Sequence, residues 1–397
     1  MTPVHEAFLT LLRSSLGDSE SPPELSKEQW AELLRLAQAH KLLPMIFEAG
    51  FPRLSQADPA LAAATRRQVR DQVILQTLRT AEFLELYRKL TESGATPLVV
   101  KGIVCRQLYP KPDHRPSADE DVLIPPEQLA LCRRVMEDFG MTTPQTDPDA
   151  YEFPYRKTGS PLYIELHKHL FPPESEAYGD FNEFFGDPFR QTVAEELQGV
   201  AVRVMHPCDH MLYLLLHAFK HFLHSGFGIR QICDILLFAR HYSEVIDWDW
   251  VRLSCRTVRA EQFAAAVFAI GVKHLGFGPI GGWEEIDELP LLEDVLRAGV
   301  YGSADESRLH SSTITLRTVS ARKQHRRTPG GLMASSFPPA RDLEGRYPWL
   351  KGRHYLLPAA WGCRIIGYLR QSSAAPAEAL RIGAERVELL RQYGIIK

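Results

Sequence analysis

The chain has 397 residues, 45% of them hydrophobic and 24% charged, with a formal net charge of -3. That length and apolar content can bury a core of two or three structural units in an ordinary globular protein. The near-balanced charge argues against holding long nucleic acid by bulk positive charge, so a small-molecule or peptide partner is as expected as RNA.

Met1 to Leu16 lacks a basic start, a long apolar run and a small-residue cleavage site, and no later stretch reaches the length of a bilayer span. A cytoplasmic protein with no membrane partner is therefore expected. The six cysteines (Cys105, Cys132, Cys208, Cys233, Cys255 and Cys363) are scattered singly, without the close pairs of zinc or redox motifs. They read as reduced, mostly buried thiols.

From His5 to Leu90 apolar residues recur at helical spacing. Trp30, Leu33, Leu34 and Ala37 form one stripe, and Val69, Val73, Leu75, Leu78, Phe83, Leu86 and Leu90 form a longer one. After Gly94 the pattern changes. Thr96 to Val100 predicts a strand, Lys101-Gly102 a turn, and the stretch through Tyr109 a helix. A proline-rich loop leads into a second strand, Ala118 to Ile124, followed by a helix over Pro126 to Phe139. Extended runs follow at Tyr151 to Arg156, Leu162 to His169 and Val200 to Val204. The helical period returns in Met211 to Phe222, Ile229 to Tyr242 and Ala374 to Tyr393. Ser311 to Gly345, with the basic run Arg322 to Arg327, reads as a loop that could contact an anionic acceptor. The expected class is α+β, with a small mixed sheet. The expected units are a helical region over 1–92, a sheet domain over 93–205 and a helical domain over 206–397 with a loop around 311–345.

Strand alternation places Asp119 and Asp121 on one face, about 7 Å apart along the backbone, so their carboxylates can converge on divalent cations. Magnesium suits such an oxygen site, with manganese as the alternative. A solvated acidic turn is the plainer explanation, but the β-rich setting and a second acidic strand favour the site. In that strand Leu162, Ile164 and Leu166 share one face, while Tyr163, Glu165 and His167 share the other. Glu165 can then complete a metal site or take a proton from an attacking hydroxyl. Lys101-Gly102 can present a lysine and free backbone amides to a phosphate, and Arg115 can add a guanidinium. His217 and His221, four apart on a helix, and Asp234 on the next helix line a cleft. There they touch base, ribose or acceptor, or hydrogen-bond within the bundle; a metal site on the histidines lacks a third ligand.

Leu98-Val-Val-Lys-Gly102, Leu108-Tyr-Pro110, Arg115-Pro116 and Asp119-Glu-Asp-Val-Leu-Ile124 resemble the core motif of a poorly characterised bacterial branch of the nucleotidyltransferase superfamily, whose palm is shared with DNA polymerase β. The similarity continues through Ile164-Glu-Leu-His167, Leu216 to His221, Ile229 to Leu237, Ile246 to Asp249, Arg346 to Leu350 and Leu356 to Pro358. The resemblance implies a palm fold and metal-dependent transfer of a nucleoside monophosphate from a nucleoside triphosphate, with pyrophosphate leaving. It implies that Asp119 and Asp121 hold magnesium with Glu165 as third carboxylate. Because this branch often accompanies genes for peptide or polysaccharide biosynthesis, it also implies a small-molecule, sugar or peptide acceptor. Two positions depart from the pattern. Lys101-Gly102 stands where a glycine-serine pair is usual, and Glu120 stands where a hydrophobic residue is usual, so Glu120 is expected at a sheet edge or beside a basic residue. The competing readings are a toxin or resistance factor that modifies RNA, protein or an antibiotic, and a degenerate palm that binds nucleotide without turnover.

Overall fold

Two local signals start the first helices. Thr2 and His5 cap α1 (Pro3–Ser15) reciprocally, and Ser26 and Gln29 do the same for α2 (Lys27–Ala39). The computed structural model describes residues 1–18, 24–173, 175, 178–224, 226–299, 348–350, 352–363 and 376–396. The whole of the predicted loop over 311–345, including Arg322 to Arg327, therefore lies outside the described residues.

After α3 (Leu43–Ala57) comes α4, a long helix from Pro59 to Glu92. Its buried face runs through Val69, Gln76, Thr80, Phe83, Tyr87 and Leu90. Leu75 and Leu78, assigned to the apolar stripe by sequence, are instead half exposed. The buried stripe passes through two polar residues because each has a partner inside. Gln76 Oε1 accepts the Ser117 N–H at 2.7 Å, and Thr80 Oγ accepts from Arg106 at 3.2 Å.

The sheet has seven strands: β1 (Leu98–Val99), β2 (Glu120–Leu123), β3 (Met141–Thr142), β4 (Glu152–Lys157), β5 (Tyr163–His167), β6 (Thr192–Leu197) and β7 (Val200–Met205). Their spatial order is β3-β4-β5-β2-β1-β7-β6, with β2–β5 and β1–β7 parallel and the other pairs antiparallel. This is the expected mixed sheet of an α+β chain. The strand β6, which the sequence reading omits, pairs with β7 across Gln198-Gly199, both at positive φ. That is the signature of a two-residue hairpin turn whose twist matches the strands.

One sheet face is apolar: Val99, Val122, Ile164, Leu166, Val202 and Val204 pack with the second half of α4 and with α6 (Leu129–Asp138). The opposite face carries Leu98, Leu123 and Met205 into a second core with α7 (Pro207–Leu223) and α8 (Ile229–His241). The helices α9 (Trp248–Thr257), α10 (Glu261–His274) and α11 (Leu289–Ala298) extend that core. So do α1 to α3, so the N-terminal helices and those after Pro207 bury one shared apolar mass. Among the described residues no helix is long and apolar enough to cross a membrane.

His40 ties these helical layers together. Its Nδ1 accepts the Ile229 N–H at 3.3 Å and its Nε2 lies 3.3 Å from the Leu296 carbonyl, which a neutral ring satisfies in full. Burial lowers its pKa from 6.5 to about 4. A base held neutral in the folded state contributes stability that is intact above pH 6.5 and lost as pH falls toward 4, here roughly 3 kcal/mol. Urea midpoints taken from pH 7 to pH 4 are expected to fall along this window, and the fall is expected to be shallower in His40→Gln. Identical pH slopes for the two proteins would remove His40 from the account.

Candidate active site

The second sheet face, opposite α7, also carries charge. Parallel pairing of β2 with β5 sets Asp121 opposite Glu165 and Leu123 opposite His167. Residues opposed across strands stand about 5 Å apart, closer than residues two apart along one strand. Asp121, Glu165 and His167 consequently offer one ligand atom each, all within 4.8 Å of one another, a group that can hold a metal ion. Asp119 lies just before β2, half-buried, where it lines an adjoining cleft with Lys101, Gly102 and His217. The compact three-ligand group thus contains His167 in the place that the sequence reading assigns to Asp119.

Asp121 is almost completely buried, which opposes its charged form. The Lys101 ammonium 3.0 Å from Oδ2 and the His167 Nε2 3.2 Å from Oδ1 outweigh that and hold its carboxyl well below the usual range. Glu165 moves the other way. Burial, then the negative charges of Asp121 and Asp119, push its pKa up to about 8. One carboxylate is thereby kept ionised and its neighbour is ready to hold a proton. His167 Nε2 is 3.7 Å from Glu165 and its Nδ1 is 4.0 Å from Glu152.

The turn before α5 (Ile103–Gln107) faces the opposite side of β2. Glu120 is fully buried in this central strand; its Oε2 accepts the Ile103 N–H at 2.6 Å and its Oε1 pairs with Arg106 at 2.9 Å. The expectation of a neighbouring basic residue is therefore met away from any sheet edge. The Ile103 amide, where the sequence pattern suggests a phosphate, is occupied by the chain's own carboxylate. Gly102 makes this approach possible: its φ is +64°, and a Cβ there would lie 2.1 Å from Glu120 Oε2.

Arg115 and Asp234 find each other. Arg115 Nε donates to Asp234 Oδ1 at 3.0 Å, its Nη2 donates to Oδ2, and Tyr109 adds a hydroxyl at 2.8 Å. This buried fork fastens the loop before β2 to α8, so it positions the acidic strand. On α7, His217 Nε2 lies 3.2 Å from Lys101 Nζ and 3.3 Å from His221 Nε2. Burial, reinforced by the charges of Lys101 and Lys220, holds both rings well below their ordinary pKa, hence neutral. Two residues the sequence reading did not single out, Arg230 and Gln231, also line the cleft. At the start of a predicted helix they carry no signal that separates them from ordinary polar positions.

A family model described as "Uncharacterised nucleotidyltransferase" matches residues 26–276, from α2 through α10, a span that contains every residue of this site. No curated protein and no solved structure matches the chain.

Proposed function

The chain belongs to the uncharacterised nucleotidyltransferase family, and from that premise we propose that it moves a nucleoside monophosphate from a nucleoside triphosphate to a hydroxyl or phosphate acceptor with release of pyrophosphate. The observation that carries this reading is the convergence of Asp121, Glu165 and His167 within 4.8 Å inside the matched span.

Two carboxylates and an imidazole nitrogen at that separation fit a divalent cation, and the rise of Glu165 to about 8 reflects first its burial and then the negative charges of Asp121 and Asp119. Asp121 and Glu165, with Asp119 or His167, would hold magnesium, while the nitrogen donor makes manganese a suitable alternative. Such a cation, when bound, would neutralise phosphate charge and acidify an acceptor hydroxyl. The alternative role for Glu165, in place of a cation ligand, is that of the base that takes the hydroxyl proton. Lys101 steadies Asp121 and presents a positive charge to the cleft. His217 and His221, as neutral rings beside Lys101, are proposed to contact the nucleotide or acceptor through hydrogen bonds. The acceptor we favour is a small molecule, a sugar or a peptide rather than RNA.

One observation favours a second reading, nucleotide binding without turnover: the Lys101 ammonium lies 3.0 Å from a carboxylate oxygen that a metal would use. The two readings separate on incubation of the protein with magnesium, cell extract and each labelled nucleoside triphosphate. Pyrophosphate release that EDTA abolishes, with a nucleotidylated product trapped by mass spectrometry, is the expected result. Tight nucleotide binding with no release under any of these conditions would support the second reading instead.

A further inference from the structure

We propose that Arg230 and Gln231, which line the cleft beside the carboxylate group, bind terminal phosphate oxygens of the nucleoside triphosphate; the proposal rests on the transfer reaction proposed above. Four guanidinium groups gather around the start of β2. Arg106 is paired with Glu120 and Arg115 with Asp234. Arg79 donates to the carbonyls of Pro161 and Ser117 and to Gln76, and Arg230 donates to the carbonyl of Pro116. Among the described residues no carboxylate forms an ion pair with Arg79 or Arg230. Arg230 is therefore a buried guanidinium held by a backbone carbonyl rather than by a carboxylate.

Two donors on the cleft wall also lack an acceptor. Arg230 is 3% exposed and its Nε has no partner. Gln231 is 8% exposed; its Oε1 accepts the Gly228 N–H at 2.7 Å, which leaves Nε2 as a buried donor with no partner. Buried donors without acceptors are uncommon because they forfeit water without replacement. An anion supplies acceptors to both, and phosphate oxygens meet guanidinium donors in the geometry they favour. Location selects the nucleotide's phosphates over another anion. Lys101 and Asp119 line the same cleft, and Lys101 is paired with Asp121. In nucleotidyl transfer the departing pyrophosphate has to lie beside the cation-binding carboxylates, on the side away from the acceptor. Arg115, which the sequence suggests for this task, is committed to Asp234, whereas Arg230 is not committed to any carboxylate among the described residues.

Pyrophosphate is the probe, titrated calorimetrically into the full-length protein with magnesium. Gln231→Glu is the sharper variant, since it keeps the oxygen that accepts from Gly228 and replaces the unpartnered donor with a negative charge. Arg230→Gln removes the guanidinium. Each is expected to weaken pyrophosphate and nucleoside triphosphate about 10- to 100-fold, while nucleoside monophosphate affinity changes by less than about threefold. Unchanged pyrophosphate affinity in a folded Gln231→Glu protein overturns the assignment, as does a wild-type protein that binds no pyrophosphate. Simultaneous binding of pyrophosphate and nucleoside triphosphate also overturns it, because the anion would then belong to an acceptor. The transfer reaction fails separately: variants that lose pyrophosphate affinity in a protein that releases none from any triphosphate would keep the anion subsite and discard the reaction.

Discussion

Asp121→Asn is expected to lower the rate of nucleotide transfer about 1000-fold, a loss of several kcal/mol of transition-state stabilisation. The substitution keeps the shape of a side chain that is only 1% exposed, and removes the charge that Lys101 and His167 hold in its ionised form. Asparagine can still hydrogen-bond to His167, so folding survives while cation affinity falls. The measurement is kcat for pyrophosphate release at saturating magnesium, together with manganese affinity from calorimetry. A variant as active as wild type would remove Asp121 from the chemistry. Running Asp119→Asn and His167→Gln beside it identifies the third ligand, as the larger of those two losses. The geometry favours His167, which lies within the 4.8 Å group, over Asp119, which precedes the strand.

Gly102→Ala is expected to cost more than about 3 kcal/mol of folding stability. Two penalties combine at this residue. The backbone sits at φ +64° and ψ -108°, a region that side chains avoid, and the new methyl would meet Glu120 Oε2 at 2.1 Å. The carboxylate has nowhere to retreat, because the Ile103 amide and Arg106 both hold it. Moving it would leave a fully buried guanidinium without its charge partner. Gly159 provides the control: its φ is +78° but a Cβ there meets nothing within 4 Å, so Gly159→Ala is expected to cost only about 1 kcal/mol. Urea denaturation of both variants checks the comparison. Equal losses would mean that backbone conformation alone accounts for Gly102, and that Glu120 yields.

The contrast between Glu120 and Asp121 shows what adjacent residues on one strand can do. Side chains alternate across the sheet, so Glu120 points to the packed turn at Gly102 while Asp121 points toward α7. The first is a structural carboxylate, balanced by Arg106; the second belongs to the candidate site. Their sequence neighbourhood is the same, and a substitution at either would look alike in an assay of activity alone. Stability measured alongside activity separates them.

Local patterns in the sequence were enough for the strand around Asp121, the strand that carries Glu165 and His167 on one face, and the helices α7 and α8. They also sufficed to mark Asp121 and Glu165 as candidates. These features depend on alternation and helical period, which a short stretch of chain specifies by itself. The tertiary structure decided which candidates meet. Parallel register set Asp121 against Glu165 and drew in His167, packing against α8 took Arg115 for Asp234, and Gln76 and Thr80 became buried because Ser117 and Arg106 reach them. Register and ion-pair choice join residues far apart in the chain, and their energies depend on burial and distance, which no local pattern encodes.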